Sequence, residues 1–203
     1  MKKITFLEKA NSPEGITVNE SILFAKEGDR DAQLSYGISL LPEALHRHPK
    51  GGCHFLTNIE PNYELGIHYL NLSAKALNID ALVILGSIYA NGYGEVKPDN
   101  KAALECFRVA ASLGSAIAQN NIGVFYWEGI AVEENYFEAM KWFRKAAKNG
   151  DAESEYNIGC MFLRGECMPR SEGFKWIKKA AKKGHLEAKD TIKKIKQHRA
   201  FAA

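Results

Sequence analysis

Trp142-Phe-Arg-Lys-Ala-Ala-Lys-Asn-Gly150 is the clearest copy of a phrase that occurs three times in the chain. It returns as Trp176-Ile-Lys-Lys-Ala-Ala-Lys-Lys-Gly184 and stands earlier, altered, as Cys106-Phe-Arg-Val-Ala-Ala-Ser-Leu-Gly114. The offsets, 36 and then 34 residues, are the spacing of a helical repeat array. In each copy a large residue precedes an Ala-Ala pair by one helical turn, and a glycine suited to a helix C′ position closes the phrase.

Upstream of each phrase lies a second repeated stretch. Ala81-Leu-Val-Ile-Leu-Gly86-Ser-Ile-Tyr89 is matched by Ala118-Gln-Asn-Asn-Ile-Gly123-Val-Phe-Tyr126 and by Ser154-Glu-Tyr-Asn-Ile-Gly159-Cys-Met-Phe162. Gly92, Gly129 and Gly165 follow six residues after these interior glycines. A short polar loop then leads to Asn100, Asn135 or Ser171, each expected as an N-cap, and Asn135-x-x-Glu138 approximates a capping box. An interior helical glycine costs about 1 kcal/mol against alanine, which is tolerable where a neighbouring helix crosses closely. The alternation of two helices therefore predicts regular repeats over 80–114, 115–150 and 151–184.

Toward the N-terminus the pattern weakens. Residues 1–30 read as a lead-in and capping helix, irregular through Asn11-Ser-Pro-Glu-Gly15 and helical from Thr17. Residues 31–79 read as a divergent first repeat, interrupted by a long insertion over 42–62 that holds His46, His48, Cys53 and His54. Connections of that length are uncommon in compact domains and often functional. Residues 185–203 read as a C-terminal cap and tail, with Ala188 and Ile192 on the packing face of a Lys-rich helix.

Composition, at 46% hydrophobic and 25% charged residues, is that of an ordinary globular chain. The net charge of +3 conceals an asymmetry, because residues 173–203 hold ten Lys or Arg against only Glu187 and Asp190. The N-terminal stretch lacks the apolar core of a secretory signal, and no segment approaches the roughly twenty apolar residues of a membrane span. Four cysteines are too few for a disulfide framework in 203 residues, so a cytoplasmic setting with free thiols is the expectation.

The combined pattern, Ala-x-x-x-Leu-Gly-x-x-Tyr-x-x-Gly followed by Ala-x-x-Trp-x-x-Lys-Ala-Ala-x-x-Gly, resembles the Sel-1-like repeat, a relative of the tetratricopeptide repeat. The match is strongest from Asp80 to Gly184. Departures are Cys106 at the Trp position, Gly173 at the Ala position, and Ala131 where a second loop glycine is usual. The resemblance implies an all-α, right-handed α/α superhelical solenoid of about four helix pairs with a C-terminal capping helix. It also implies a non-catalytic adaptor or scaffold, in some bacterial members an immunity protein that neutralises a toxin. A cysteine-rich branch of the family bridges its paired helices; this chain lacks that pairing, in keeping with a reducing compartment.

By analogy with tetratricopeptide stacks, the first helix of each pair lines a concave groove, three before, one after and four after the interior glycine. Those positions are Val83, Ser87 and Ala90, then Asn120, Val124 and Trp127, then Tyr156, Cys160 and Leu163, with Leu34, Ile38 and Leu41 from the first repeat by the same register. Trp127 stands out because the repeat does not demand an aromatic there; it is either a hot spot for a bound peptide or a cap on the inter-helix core. No G-x-G-x-x-G turn exists, and the histidines stand apart from Cys160, which argues against nucleophilic catalysis and a cofactor. His46, His48, Cys53 and His54 are zinc-competent types in a spacing that matches no common structural pattern, so no metal is expected. A metal- or thiol-dependent activity in loop 42–62 is the alternative reading. The basic C-terminal face has little arginine and no interleaved aromatics, which serves base stacking poorly and makes nucleic acid a poor partner.

Overall fold

The structure, a computed structural model, describes residues 6–11, 17–41, 60–94, 96–167 and 169–201, with side chains as far as residue 197. The described residues form eleven helices: α1 (Phe6–Ala10), α2 (Val18–Lys26), α3 (Arg30–Ser39), α4 (Tyr63–Lys75), α5 (Ile79–Asn91), α6 (Asn100–Ser112), α7 (Ala116–Glu128), α8 (Tyr136–Lys148), α9 (Ala152–Arg164), α10 (Arg170–Lys182) and α11 (Leu186–Phe201). The fold is all-α, as the periodicity predicts. Two compact units divide it, Met1–Cys106 and Phe107–Ala203.

Each of α4 through α10 is 13 residues long, and the caps explain why. Asn78, Ser115 and Asp151 accept backbone N–H groups from the first turns of α5, α7 and α9, satisfying donors that have no partner inside a helix. Gly129 and Gly165 end α7 and α9 in left-handed conformations, at φ 67° and 84°. Sequence expectation and structure part at two caps. Asp99 rather than Asn100 opens α6, accepting from the N–H groups of Lys101 and Ala102. Pro169 rather than Ser171 precedes α10, and no side chain caps that helix. Asn135 caps α8 as expected, accepting from Glu138 N at 3.0 Å.

In the first unit, Phe6 of α1 is 1% exposed and packs with Ala25, Ala32, Tyr36, Leu40 and Tyr69. The segment expected to be irregular thus contributes a helix and a core residue. Tyr36 meets Tyr69 edge-on at 4.8 Å, joining α3 to α4. These two helices nearly touch, since a Cβ added to Gly37 would lie 3.0 Å from the carbonyl oxygen of Gly66. Residues 42–59, including His46, His48, Cys53 and His54, lie outside the described residues.

The second unit is built from helix pairs whose close crossings explain the interior glycines. A Cβ at Gly123 would stand 2.6 Å from the ring of Phe143, and one at Gly159 would stand 2.5 Å from Ile177 and 3.0 Å from the Gly173 carbonyl. Gly173, a departure from the repeat pattern, is therefore the partner that lets α9 and α10 approach. Phe143, Ala146, Ile177 and Ala180, all from the repeated phrase, are fully buried. Burying each Phe or Ile contributes roughly 2–3 kcal/mol. Trp142 and Trp176 are half-buried, each with a lysine, Lys145 or Lys179, over its ring.

Asn120 and Gln119, buried between repeats, find polar partners there. Asn120 Oδ1 accepts from Ser154 Oγ at 2.8 Å and from Asn157 Nδ2 at 3.0 Å, tying α7 to α9. Gln119 Nε2 donates to the carbonyl of Ala111 and its Oε1 accepts from Asn149.

Candidate functional site

The groove positions inferred from the interior glycines do not share one environment. Val83 and Asn120 are buried, at 6% and 8% exposure. Asn120 spends its oxygen on α9, so its role in the structure is to join successive repeats. Ser87 is half-buried and its hydroxyl donates to the Val83 carbonyl. Tyr156, Cys160 and Leu163 are half-buried and pack against the cluster of Ile177, Ala180 and Ala188. Tyr156 stacks on His185 at 4.7 Å, and its hydroxyl lies 3.4 Å from Thr191. Asn120 and Tyr156, each three before an interior glycine, therefore face α9 and α11, two helices further along the chain.

Val124 and Trp127 are the half-buried members that lie against the second unit's larger core cluster. Trp127 is held by contacts on several sides. Its ring meets Phe143 edge-on at 5.9 Å, and its Nε1 donates to Glu166 Oε2 at 2.7 Å. The Arg164 guanidinium lies 4.7 Å from its centroid, and Arg164 also approaches Glu166 at 3.9 Å. Trp127 is thereby fixed on edge, face and nitrogen while keeping part of its surface accessible.

Glu166 has a second neighbourhood that the sequence reading missed. It belongs to the wall of a cavity of about 640 Å³ between α8 and the loop after α9. Met140 and Phe162 are buried and form its floor, while Tyr136 and Phe137 rise from the first turn of α8. Lys141 and Arg144 stand at its edge and Cys167 opposite. Phe137 is 79% exposed, the most exposed large hydrophobic residue among those described. The available signal was register: Phe137 occupies the position held by Lys101 and Ser171 in the neighbouring repeats.

Burial raises the three described thiols above their ordinary value. Burial, then the charge of Glu166, pushes the Cys167 thiol up, with Arg144 opposing; burial likewise raises Cys106 and Cys160. A hydrogen bond to Glu134 raises the Tyr136 phenol. None of these groups is activated as a nucleophile, since a thiol raised above its ordinary value is less ionised at neutral pH. No group of three or more His, Cys, Asp or Glu that could hold a metal occurs among the described residues. Among the same residues no helix is long and apolar enough to cross a membrane.

Comparison with known proteins agrees with this geometry. The Sel1 repeat profile matches residues 53–76, 79–115, 116–151 and 152–185. A Sel1 repeat protein from Oxalobacter formigenes superimposes with a TM-score of 0.69 at 26% identity, over 84% of this chain and 64% of that one. The protein c5321, described as a protective antigen of uropathogenic Escherichia coli strains with an SLR fold, superimposes with a TM-score of 0.68 at 26% identity. That match covers 82% of this chain and 33% of c5321. The chain thus spans less than two thirds of either relative. The profile covers more than half of the sequence, and its boundaries coincide with the helix pairs α5–α6, α7–α8 and α9–α10, so the chain belongs to the Sel1 repeat family.

Proposed function

We propose that this protein is a non-catalytic adaptor that grips a peptide or protein segment on the surface of its second unit. Sel1 repeat proteins generally mediate protein–protein interactions, and the chain carries the repeats for that role. The observation that carries the reading is Trp127, half-exposed yet held by Phe143, Glu166 and Arg164. A rigid aromatic loses little conformational entropy on binding, which is why such residues serve as anchors. Val124 beside it extends the patch, and Tyr156, Cys160 and Leu163 supply further half-exposed area toward α11. Free thiols at Cys106, Cys160 and Cys167 suit a cytoplasmic setting. Toxin neutralisation, in the manner of an immunity protein, is the narrower form of this reading.

The test is recovery of partners from the native cell by the full chain and by Trp127→Ala and Tyr156→Ala variants. A partner bound through this surface is lost from at least one variant. Equal recovery by all three refutes the surface. Metal analysis of the same protein addresses the alternative seated in loop 42–62: one tightly held zinc per chain would favour it. For the narrower form, co-expression with a recovered toxin restores growth.

A further inference from the structure

We propose that the cavity beside Phe137 is a subsite for a large apolar side chain that lies next to a carboxylate in a bound protein segment. This rests on the adaptor reading and gives it a recognition chemistry. Three observations lead to it.

Phe137 has no packing duty. It lies in the first turn of α8, is 79% exposed, and stands where neighbouring repeats place Lys101 and Ser171. An aromatic side chain left on water beside a preformed apolar recess is surface awaiting cover. The recess itself is floored by Met140 and Phe162, and about 640 Å³ accommodates an aromatic or branched aliphatic side chain with its flanking backbone. Methionine in the floor allows it to adapt to more than one apolar shape.

Charge selects what accompanies that side chain. Lys141 is engaged by Glu138 at 3.1 Å. Glu166 accepts from Trp127 and faces Arg164. Arg144, exposed at the same edge, has no carboxylate partner among the described residues. The unanswered charge at the cavity is therefore a guanidinium, whose planar fork matches a carboxylate.

Three small probes on the full-length protein test this: 3-phenylpropionate, its neutral amide, and phenethylammonium. The readouts are the Met140 methyl resonance and the alkylation rate of Cys167, followed by mass spectrometry. The carboxylate should shift the methyl signal and slow alkylation at concentrations about three- to fivefold lower than the amide, the scale of one exposed ion pair. Arg144→Gln should abolish that preference while leaving amide binding in place, and Phe137→Ala should weaken both. Both side chains are exposed, so far-UV circular dichroism should confirm that these variants keep the fold. Phenethylammonium binding as tightly as the carboxylate, or no probe moving Met140, overturns the proposal. These probes require no partner, so their failure leaves the Trp127 test standing, and failure of the Trp127 test does not alter their result.

Discussion

Glu155 offers the sharpest test of how the second unit is held together. It is fully buried in α9, at 0% exposure, and occupies the repeat position of Gln33 and Gln119. Those glutamines donate to the Ala25 and Ala111 carbonyls. A carboxylate has nothing to donate. Glu155 instead turns Oε1 to Lys179 at 2.9 Å and Lys183 at 2.8 Å, while Oε2 has no hydrogen-bond partner. Removing both lysines, as Lys179→Met with Lys183→Met, would strand a buried charge. Such a loss costs about 3–5 kcal/mol in a dry interior. The two lysine side chains are 54% and 35% exposed, so solvent already shares the stabilisation, and about 2 kcal/mol is expected here. Glu155→Gln should change stability by less than about 1 kcal/mol, because it removes the charge and restores an amide donor. In that background the two lysine substitutions should cost under about 1 kcal/mol. Urea denaturation of all four proteins gives the coupling. The three tryptophans, Trp127, Trp142 and Trp176, all lie in the second unit, so fluorescence reports on it directly. A coupling below about 0.5 kcal/mol would refute the view that Glu155 is stabilised chiefly by these lysines.

Further outcomes follow from other sites. Ala131 holds φ 57° where the preceding repeat has Gly94 at φ 58°, so Ala131→Gly should raise stability by about 0.5–1 kcal/mol; an unchanged melting temperature would contradict this. Asn120→Leu should destabilise by about 2–3 kcal/mol in chemical denaturation, since Ser154 and Asn157 would both lose their buried acceptor. Asp31 in the first unit has its carboxyl raised above the ordinary 3.8, first by burial and then by Asp29 and Asp80, against the lowering effect of Arg30. A raised folded-state value means the folded protein holds this proton to higher pH, so the group weakens folding as pH rises through the window just above 3.8. Asp31→Asn should flatten that part of the stability profile, read by circular dichroism; an unaltered slope would show that Asp31 does not contribute it.

Much of the fold was readable because it is written in a repeating local code. The phrase around Trp142, the paired glycines and the polar caps recur at 34 to 37 residues, and each is a short-range requirement of helix start, stop or crossing. Ala131 illustrates how specific that code is: the sequence marks it as a glycine position, and the backbone is left-handed there. Phe6 was less legible, since five helical residues carry too little periodicity to reveal that one of them enters a core. Glu155 looks from sequence like an ordinary charged residue, and only packing identifies it as buried.

The candidate surface divides along the same line. Sequence alone determined the family and the helix pairs, because these depend on residue type at a fixed spacing. Tertiary structure decided which sides of those helices are free. Asn120 and Tyr156, each three before an interior glycine, turn toward the first helix after the next, which buries Asn120 against α9 and stacks Tyr156 on His185. The cavity at Phe137 arises where α8 meets Glu166 and Cys167, about thirty residues further along the chain. No local pattern encodes that meeting, because it is produced by the distance and angle at which one helix pair settles on the next.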